Sequence, residues 1–285
     1  MKTISANGLQ IPVLGQGGWN VGDDIQKAES EMATLRRGLE LGLCLIDTAE
    51  MYGDGRSETL IGRALRGVRR EDCLLASKVY PHNAGRPNIF ASCDASLRRL
   101  GTDYLDLYLL HWRGSIPLAE TVTCMEQLVG AGKIRRWGVS NFDAPDMEEL
   151  WSIPNGKNCA VNQVLYNLGS RGIEYDLLPW AAAHGVAIMA YCPLAQAGTL
   201  KRMNRDFFAD DTLRSVATAY GISVMQLLLA FTLRQPNVAA IPKAGSPAHV
   251  EANAAVPDVH IADEDWAKVD SVFWPPTTKM HLDIE

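Results

Sequence analysis

A short, nearly continuous apolar run recurs eight times along this chain. The runs are Val13 to Gly15, Cys44 to Ile46, Cys73 to Ala76, Leu105 to Leu110, Trp137 to Val139, Cys159 to Val161, Val186 to Ala190 and Val238 to Ile241. Between them lie longer stretches of helical periodicity: Glu31 to Leu41, Ser57 to Leu65, Ile89 to Leu100, Leu118 to Val129, Tyr175 to His184, Asp211 to Tyr220 and Val224 to Arg234. Short apolar strands alternating with amphipathic helices predict parallel pairing, because helical crossovers cover both faces of the sheet. Eight such units in 285 residues predict one closed (β/α)8 barrel, a TIM barrel, with residues 1–285 as a single domain. An open doubly wound sheet carries a glycine-rich phosphate turn after its first strand. Here Gly15-Gln16-Gly17-Gly18-Trp19-Asn20 lacks the third glycine of G-x-G-x-x-G. Asn7-Gly8, set between two alternating segments, predicts a β-hairpin ahead of the barrel.

Several function classes are disfavoured by composition. The chain has 27 basic and 33 acidic residues, a formal charge of −6, and so no basic footprint for nucleic acid. Its apolar runs fall far short of the roughly 20 residues that cross a bilayer. The opening Met1 to Gly8 turns polar at once, so no signal peptide is expected. Six cysteines stand singly, mostly among apolar neighbours, with no C-x-x-C pair. They fit reduced thiols packed as small hydrophobes, and hence a cytoplasmic protein. No pair among His82, His111, His184, His249, His260 and His281 has short ligand spacing, so no metal site is expected.

In a barrel of this kind the site lies at the carboxyl ends of the strands. The residues following the apolar runs are polar there: Asp47, Lys78, His111, Ser140-Asn141, Asn162-Gln163, Tyr191 and Lys243. Such groups are kept off buried strand ends unless they have partners, so seven of them point to one rim. Asp47 and Lys78 can form a desolvated ion pair. Tyr52 sits in the loop after Asp47, where an ammonium nearby is expected to lower its pKa and make it a better proton donor. His111 can orient a substrate oxygen. Taken singly, Asp47 and Lys78 would also serve as a barrel salt bridge, and His111 as a satisfied core histidine.

Asp47-Thr48-Ala49 with Met51-Tyr52-Gly53, Ser77-Lys78, Leu109-Leu110-His111-Trp112, Gly138-Val139-Ser140-Asn141-Phe142, Asn162-Gln163 with Tyr166-Asn167, and Ile241-Pro242-Lys243 resemble the signature blocks of the aldo-keto reductases. The match runs in order from about Ile11 to Pro257. Within that family the chain is most similar to the short-loop bacterial reductases of methylglyoxal and related 2-oxoaldehydes or 1,2-dicarbonyls. The segments carrying this are Ser170 to Trp180 and Pro193 to Gly198. The resemblance implies an NAD(P)H-dependent carbonyl reductase that binds its cofactor across the barrel mouth. It makes Tyr52 the general acid, Lys78 and Asp47 the pair that tunes it, and His111 the group that orients the carbonyl. It places Ser140, Asn141 and Gln163 on the nicotinamide amide, Tyr191 on the ring, and Leu194, Lys243, Ser246, His249 and Asn253 elsewhere on the cofactor.

Lys243 and Ser246 fall in the segment that grips the 2′-phosphate of NADPH in the family, whereas Ala244 and His249 replace a serine and an arginine common there. The expectation is NADPH, with NADH used more weakly. Trp19 and Trp112 are expected to wall the substrate pocket. The brief Arg113 to Ala119 and Pro275 to Glu285 segments predict an open, shallow pocket of weak selectivity for small activated carbonyls, aromatic aldehydes included. A monomer is expected. The alternatives are a nucleotide-binding redox sensor or accessory subunit with little turnover, and a hydrolase or metal-dependent barrel enzyme. Against the latter, Gly138-Val139-Ser140-Asn141-Phe142 breaks the G-x-S-x-G elbow at its last position, and no H-E-x-x-H occurs.

Overall fold

The computed structural model describes residues 2–195 and 206–285. Its strands are β1 (Thr3–Ala6), β2 (Leu9–Pro12), β3 (Gly15–Gly17), β4 (Leu45–Asp47), β5 (Leu74–Val79), β6 (Leu105–Leu110), β7 (Ile134–Ser140), β8 (Val161–Leu165), β9 (Ala187–Tyr191) and β10 (Val238–Ala240). The helices are α1 (Ala28–Glu40), α2 (Arg56–Ala64), α3 (Asn88–Leu100), α4 (Leu118–Gly130), α5 (Ala144–Ser152), α6 (Leu177–His184), α7 (Asp211–Ala219), α8 (Val224–Leu233), α9 (Pro247–Ala254) and α10 (Asp263–Val272). Strands β3 to β10 pair in sequence order, all parallel. A parallel bridge from Leu14 to Ala240, with Ala240 N–H donating to the Val13 carbonyl at 2.8 Å, closes the ring. The expected (β/α)8 barrel is what the chain forms. Segment 196–198 of the Pro193 to Gly198 motif lies outside the described residues.

The predicted hairpin is present and has a defined task. β1 and β2 pair antiparallel, turning on Asn7 and Gly8 at φ 45° and 77°, the left-handed pair such a two-residue turn requires. Ile4, Ala6 and Ile11 then pack with Leu45, Leu74, Leu107, Ala160 and Ala187, so the hairpin plugs the amino-terminal end of the barrel. A larger apolar layer, including Ile46, Leu75, Tyr108, Leu110 and Val139, joins the outer faces of the strands to the helices. Both clusters are built of apolar side chains, which leaves the strand ends as the place for polar groups that need partners.

Two readings of the sequence needed revision. Helices α5, α9 and α10 went unrecognised because few of their side chains are buried. α9 buries Val250 and Asn253, and α10 only Val269, too little to make an apolar stripe. The cue at α5 was local: Asp143 and Asp146 form a reciprocal capping box, with Pro145 in the first turn. Strands β5 and β8 also continue past the apolar runs, carrying Lys78, Asn162 and Gln163 inside the ladder. Backbone pairing, not side-chain polarity, sets where these strands end.

Candidate active site

Alternate residues of each strand face the barrel interior. Leu45, Ala76, Leu109, Val161, Met189 and Ile241 belong to that inner cluster. Two positions further along each strand stand Asp47, Lys78, His111, Gln163, Tyr191 and Lys243. Every one of these polar residues therefore prolongs an inward row at its carboxyl end. Register aligns them: Gly17 pairs with Asp47, Asp47 with Ala76, and Ser140 with Gln163. Glycine is required at the close approach beside Asp47, since a Cβ on Gly18 would lie 2.7 Å from the Asp47 carbonyl oxygen. The chain then returns through Gly53, Asp54 and Gly55, all left-handed, which brings Tyr52 back over the rim before α2 begins.

Lys78 is fully buried and its ammonium donates three hydrogen bonds: to Asp47 Oδ2 at 2.7 Å, to the Thr48 carbonyl at 2.8 Å and to the Tyr52 hydroxyl at 2.9 Å. All its donors are thereby used. Burial alone pulls the Lys78 pKa down, but Asp47's charge and the hydrogen bonds more than reverse this, so the ammonium stays charged. Because Tyr52 accepts from Lys78, its own proton is left for another acceptor. Its pKa nevertheless moves opposite to the expectation from sequence. Burial pushes it up by more than Lys78 pulls it down, so Tyr52 holds its proton firmly until an acceptor arrives. Burial, with Lys78 second, lowers His111 to about 2, so its imidazole is neutral. The Nδ1 of His111 is buried without a hydrogen-bond partner, a costly state for a polar atom unless a ligand relieves it.

The two tryptophans lie beside Tyr52 and His111. Trp19 meets the Tyr52 ring edge-on at 4.8 Å, and Trp112 lies 4.9 Å from His111, which is itself 5.7 Å from Tyr52. Gln163 Nε2 donates to Asp47 Oδ1 at 2.8 Å, leaving its Oε1 as the end that can meet a ligand. Ser140 Oγ donates to the Gln163 carbonyl at 2.8 Å. Asn141, at φ 60°, spans the His111 carbonyl (3.2 Å) and the Tyr191 hydroxyl (2.9 Å). Leu194 packs on the apolar group of Leu14, Leu43 and Leu229. The remaining predicted cofactor residues lie around the next part of the rim. The Pro242 carbonyl accepts from Gly17 N–H at 3.1 Å, so Lys243 sits one strand beyond β3, which borders Asp47. Lys243 reaches toward the buried Glu31 at 3.9 Å and is otherwise partly exposed. Ser246 caps α9 by accepting from His249 N–H, and Asn253 is buried on the same helix.

Some supporting residues had no signal in sequence. Glu58 of α2 is fully buried, accepting from Ser77 Oγ at 2.5 Å and from Arg99 Nε at 2.6 Å. Arg99 in turn packs where a Cβ on Gly55 would sit. This cluster braces both the strand bearing Lys78 and the loop bearing Tyr52. The carboxyl-terminal tail also meets this rim. Lys279 pairs with Asp143 and Asp176, and the tail beyond it ends with Glu285 N–H 3.3 Å from the Tyr191 hydroxyl. Ion pairs hold this tail against the loops that follow β7 and β8, an arrangement its brevity gave no reason to expect.

The geometry agrees with comparison to known proteins. The model of the aldo/keto reductase family matches residues 13–273. The chain belongs to the aldo/keto reductase family. Among curated relatives of this reductase, methylglyoxal reductase YeaE of Escherichia coli is 52% identical, covering 99% of both chains. A glyoxal reductase of Bacillus subtilis is 32% identical, covering 93% of this chain and 90% of its own. Among solved structures, an aldo/keto reductase from Klebsiella pneumoniae in complex with NADP and acetate superposes with a TM-score of 0.96. It is 51% identical, over 100% of this chain and 99% of its own. Among the described residues of the reductase no single helix is long and apolar enough to cross a membrane.

Proposed function

We propose that this reductase uses NADPH to convert small activated carbonyls to alcohols. Methylglyoxal and other 2-oxoaldehydes come first, with 1,2-diketones and aromatic aldehydes beside them. It works as a cytoplasmic monomer. The observation that carries this reading is the hydrogen-bond direction at Tyr52. A phenol that accepts from a buried ammonium, 2.9 Å away, has its own proton available and a cation waiting for the phenolate that remains. A sensor or accessory subunit without turnover has no use for such an arrangement.

The residues present fit the cofactor. Tyr191 offers an aromatic face at the mouth, while Gln163 Oε1 and the Ser140 hydroxyl oxygen remain able to meet an amide. Lys243 and the capped amino end of α9 suit a phosphate. NADPH, when bound, supplies the hydride. Tyr52 gives its proton to the carbonyl oxygen, and Lys78 stabilises the phenolate left behind. Asp47 keeps Lys78 charged and in place. Neutral His111 donates a hydrogen bond that orients and polarises the carbonyl, which an imidazole can do without itself carrying charge. Trp19 and Trp112 bound the space for the substrate. A second carbonyl adjacent to the first withdraws electrons and eases attack, so 2-oxoaldehydes suit a site with few contacts to spend on recognition.

The test is NADPH oxidation across a carbonyl panel, with NADH compared on the preferred substrate. Methylglyoxal, phenylglyoxal and 4-nitrobenzaldehyde are expected to be turned over, with kcat/KM favouring NADPH. Selective turnover of one bulky steroid or sugar would overturn the substrate assignment, and a ratio favouring NADH the cofactor assignment.

A further inference from the structure

Beside Lys243 lies a carboxylate that takes no part in the chemistry at Tyr52. Glu31 stands in the first turn of α1 and is only 4% exposed. Its Oε2 accepts from Gly22 N–H at 2.8 Å, which ties the loop after β3 to the helix and fixes the carboxylate in place. The second oxygen, Oε1, lies 3.9 Å from Lys243 Nζ.

Helices α1 and α9 pack together, and each carries a carboxylate there that is neutralised in a different way. Glu251 of α9 meets Arg37 Nε of α1 at 2.8 Å, and the same guanidinium holds Glu40 at 2.9 Å. That group of charges is exposed and closes on itself. Glu31 is far more buried, and among the described residues its one ion-pair partner is Lys243. A separation of 3.9 Å is too long for a hydrogen bond, so the ammonium is drawn toward Glu31 without being locked there. With 37% of its side chain exposed, Lys243 remains able to turn toward an arriving anion.

We propose that Glu31 sets how strongly the enzyme prefers a 2′-phosphorylated dinucleotide, by competing with that phosphate for Lys243. The inference rests on the reading that places the 2′-phosphate at Lys243, and adds a residue that tempers the preference. The phosphate has to draw the ammonium away from a carboxylate that stays where it is, and that carboxylate also repels it. A ribose 2′-hydroxyl carries no charge and meets neither cost. Glu31 is thus a positioning residue for Lys243, and its effect belongs to binding of NADPH rather than NADH. In a partly hydrated setting, one charge several ångströms from a phosphate changes affinity by about threefold to tenfold.

The experiment measures the dissociation constants of NADP+ and NAD+ by calorimetry in wild type, Glu31→Gln, Lys243→Met and the double variant. Glu31→Gln keeps an oxygen to accept from Gly22 N–H and removes only the charge. It is expected to bind NADP+ about threefold to tenfold more tightly, with NAD+ held within about twofold. In turnover the same factor should appear as a lower KM for NADPH at unchanged kcat. Raising the salt concentration should narrow the difference, and the gain should shrink when Lys243 is already Met. A merely structural role for Glu31 would not tighten one nucleotide alone. NADP+ affinity that is unchanged or weaker in Glu31→Gln overturns the proposal, as does an equal change for both nucleotides. If Lys243→Met binds NADP+ as well as wild type does, the placement of the phosphate fails instead, and this inference with it.

Discussion

The two ends of the barrel each hold a cation paired with a carboxylate, Arg70 with Asp106 and Lys78 with Asp47, and they use them differently. At the amino ends, Arg70 spreads its guanidinium over the Thr102 hydroxyl, the Cys73 and Tyr104 carbonyls and Asp106 Oδ2 at 2.6 Å. Asp106 also accepts from Leu75 N–H at 2.9 Å, and the Tyr104 ring lies beneath the guanidinium. Those interactions close on the fold itself and tie β5 to β6. At the carboxyl ends, the Lys78–Asp47 pair is equally short but more deeply buried, and it leaves two groups open, the proton of Tyr52 and the Nδ1 of His111. Burying an ion pair gains little net stability, so the upper pair is best understood by what it holds ready.

The sharpest way to break the comparison is to remove the cation at each end. Lys78→Met should lower kcat with methylglyoxal by about a thousandfold or more, since the phenolate of Tyr52 then has no counter-charge. NADPH quenching of tryptophan fluorescence reports whether the variant still binds cofactor. At the other end, Asp106→Ala should cost about 2–3 kcal/mol in urea unfolding, by stranding Arg70 and the Leu75 N–H, while kcat stays within about twofold. Loss of activity there without loss of stability would erase the distinction between the ends.

A smaller effect comes from His111, whose folded pKa lies far below the ordinary 6.5. Between those values the unfolded chain binds a proton that the folded protein does not, so stability falls as pH drops below about 6.5. Between pH 7 and pH 5 this group should account for about 2 kcal/mol of lost stability. His111→Gln should lose correspondingly less over the same interval. Equal losses in the two proteins would place a charged imidazole in the pocket.

Legibility in the sequence followed the same division. The barrel was readable because its strands are apolar on both faces, and Asp47, Lys78 and His111 because they stand at the ends of such runs. The deciding regularity is finer: each lies two residues beyond an inward apolar residue, and so does Gln163, whose bond to Asp47 that phase makes possible. The pKa of Tyr52 could not be read this way, because spacing shows that Lys78 is near but not how completely Tyr52 is buried. Glu58 and Arg99 gave no pattern at all, since their contact joins α2 to α3 through a fit of shapes. The tail escaped for a similar reason. Its course depends on Lys279 finding Asp143 and Asp176, more than a hundred residues earlier in the chain.

The account turns on Tyr52 as the group that delivers the proton. Its most direct test is the single-turnover reduction of methylglyoxal by Tyr52→Phe, with the NADPH dissociation constant measured on the same sample. Removing only the hydroxyl should leave that constant within about twofold and slow the chemical step by about a hundredfold to ten-thousandfold. A variant that binds NADPH normally and reduces methylglyoxal at the wild-type rate would contradict it.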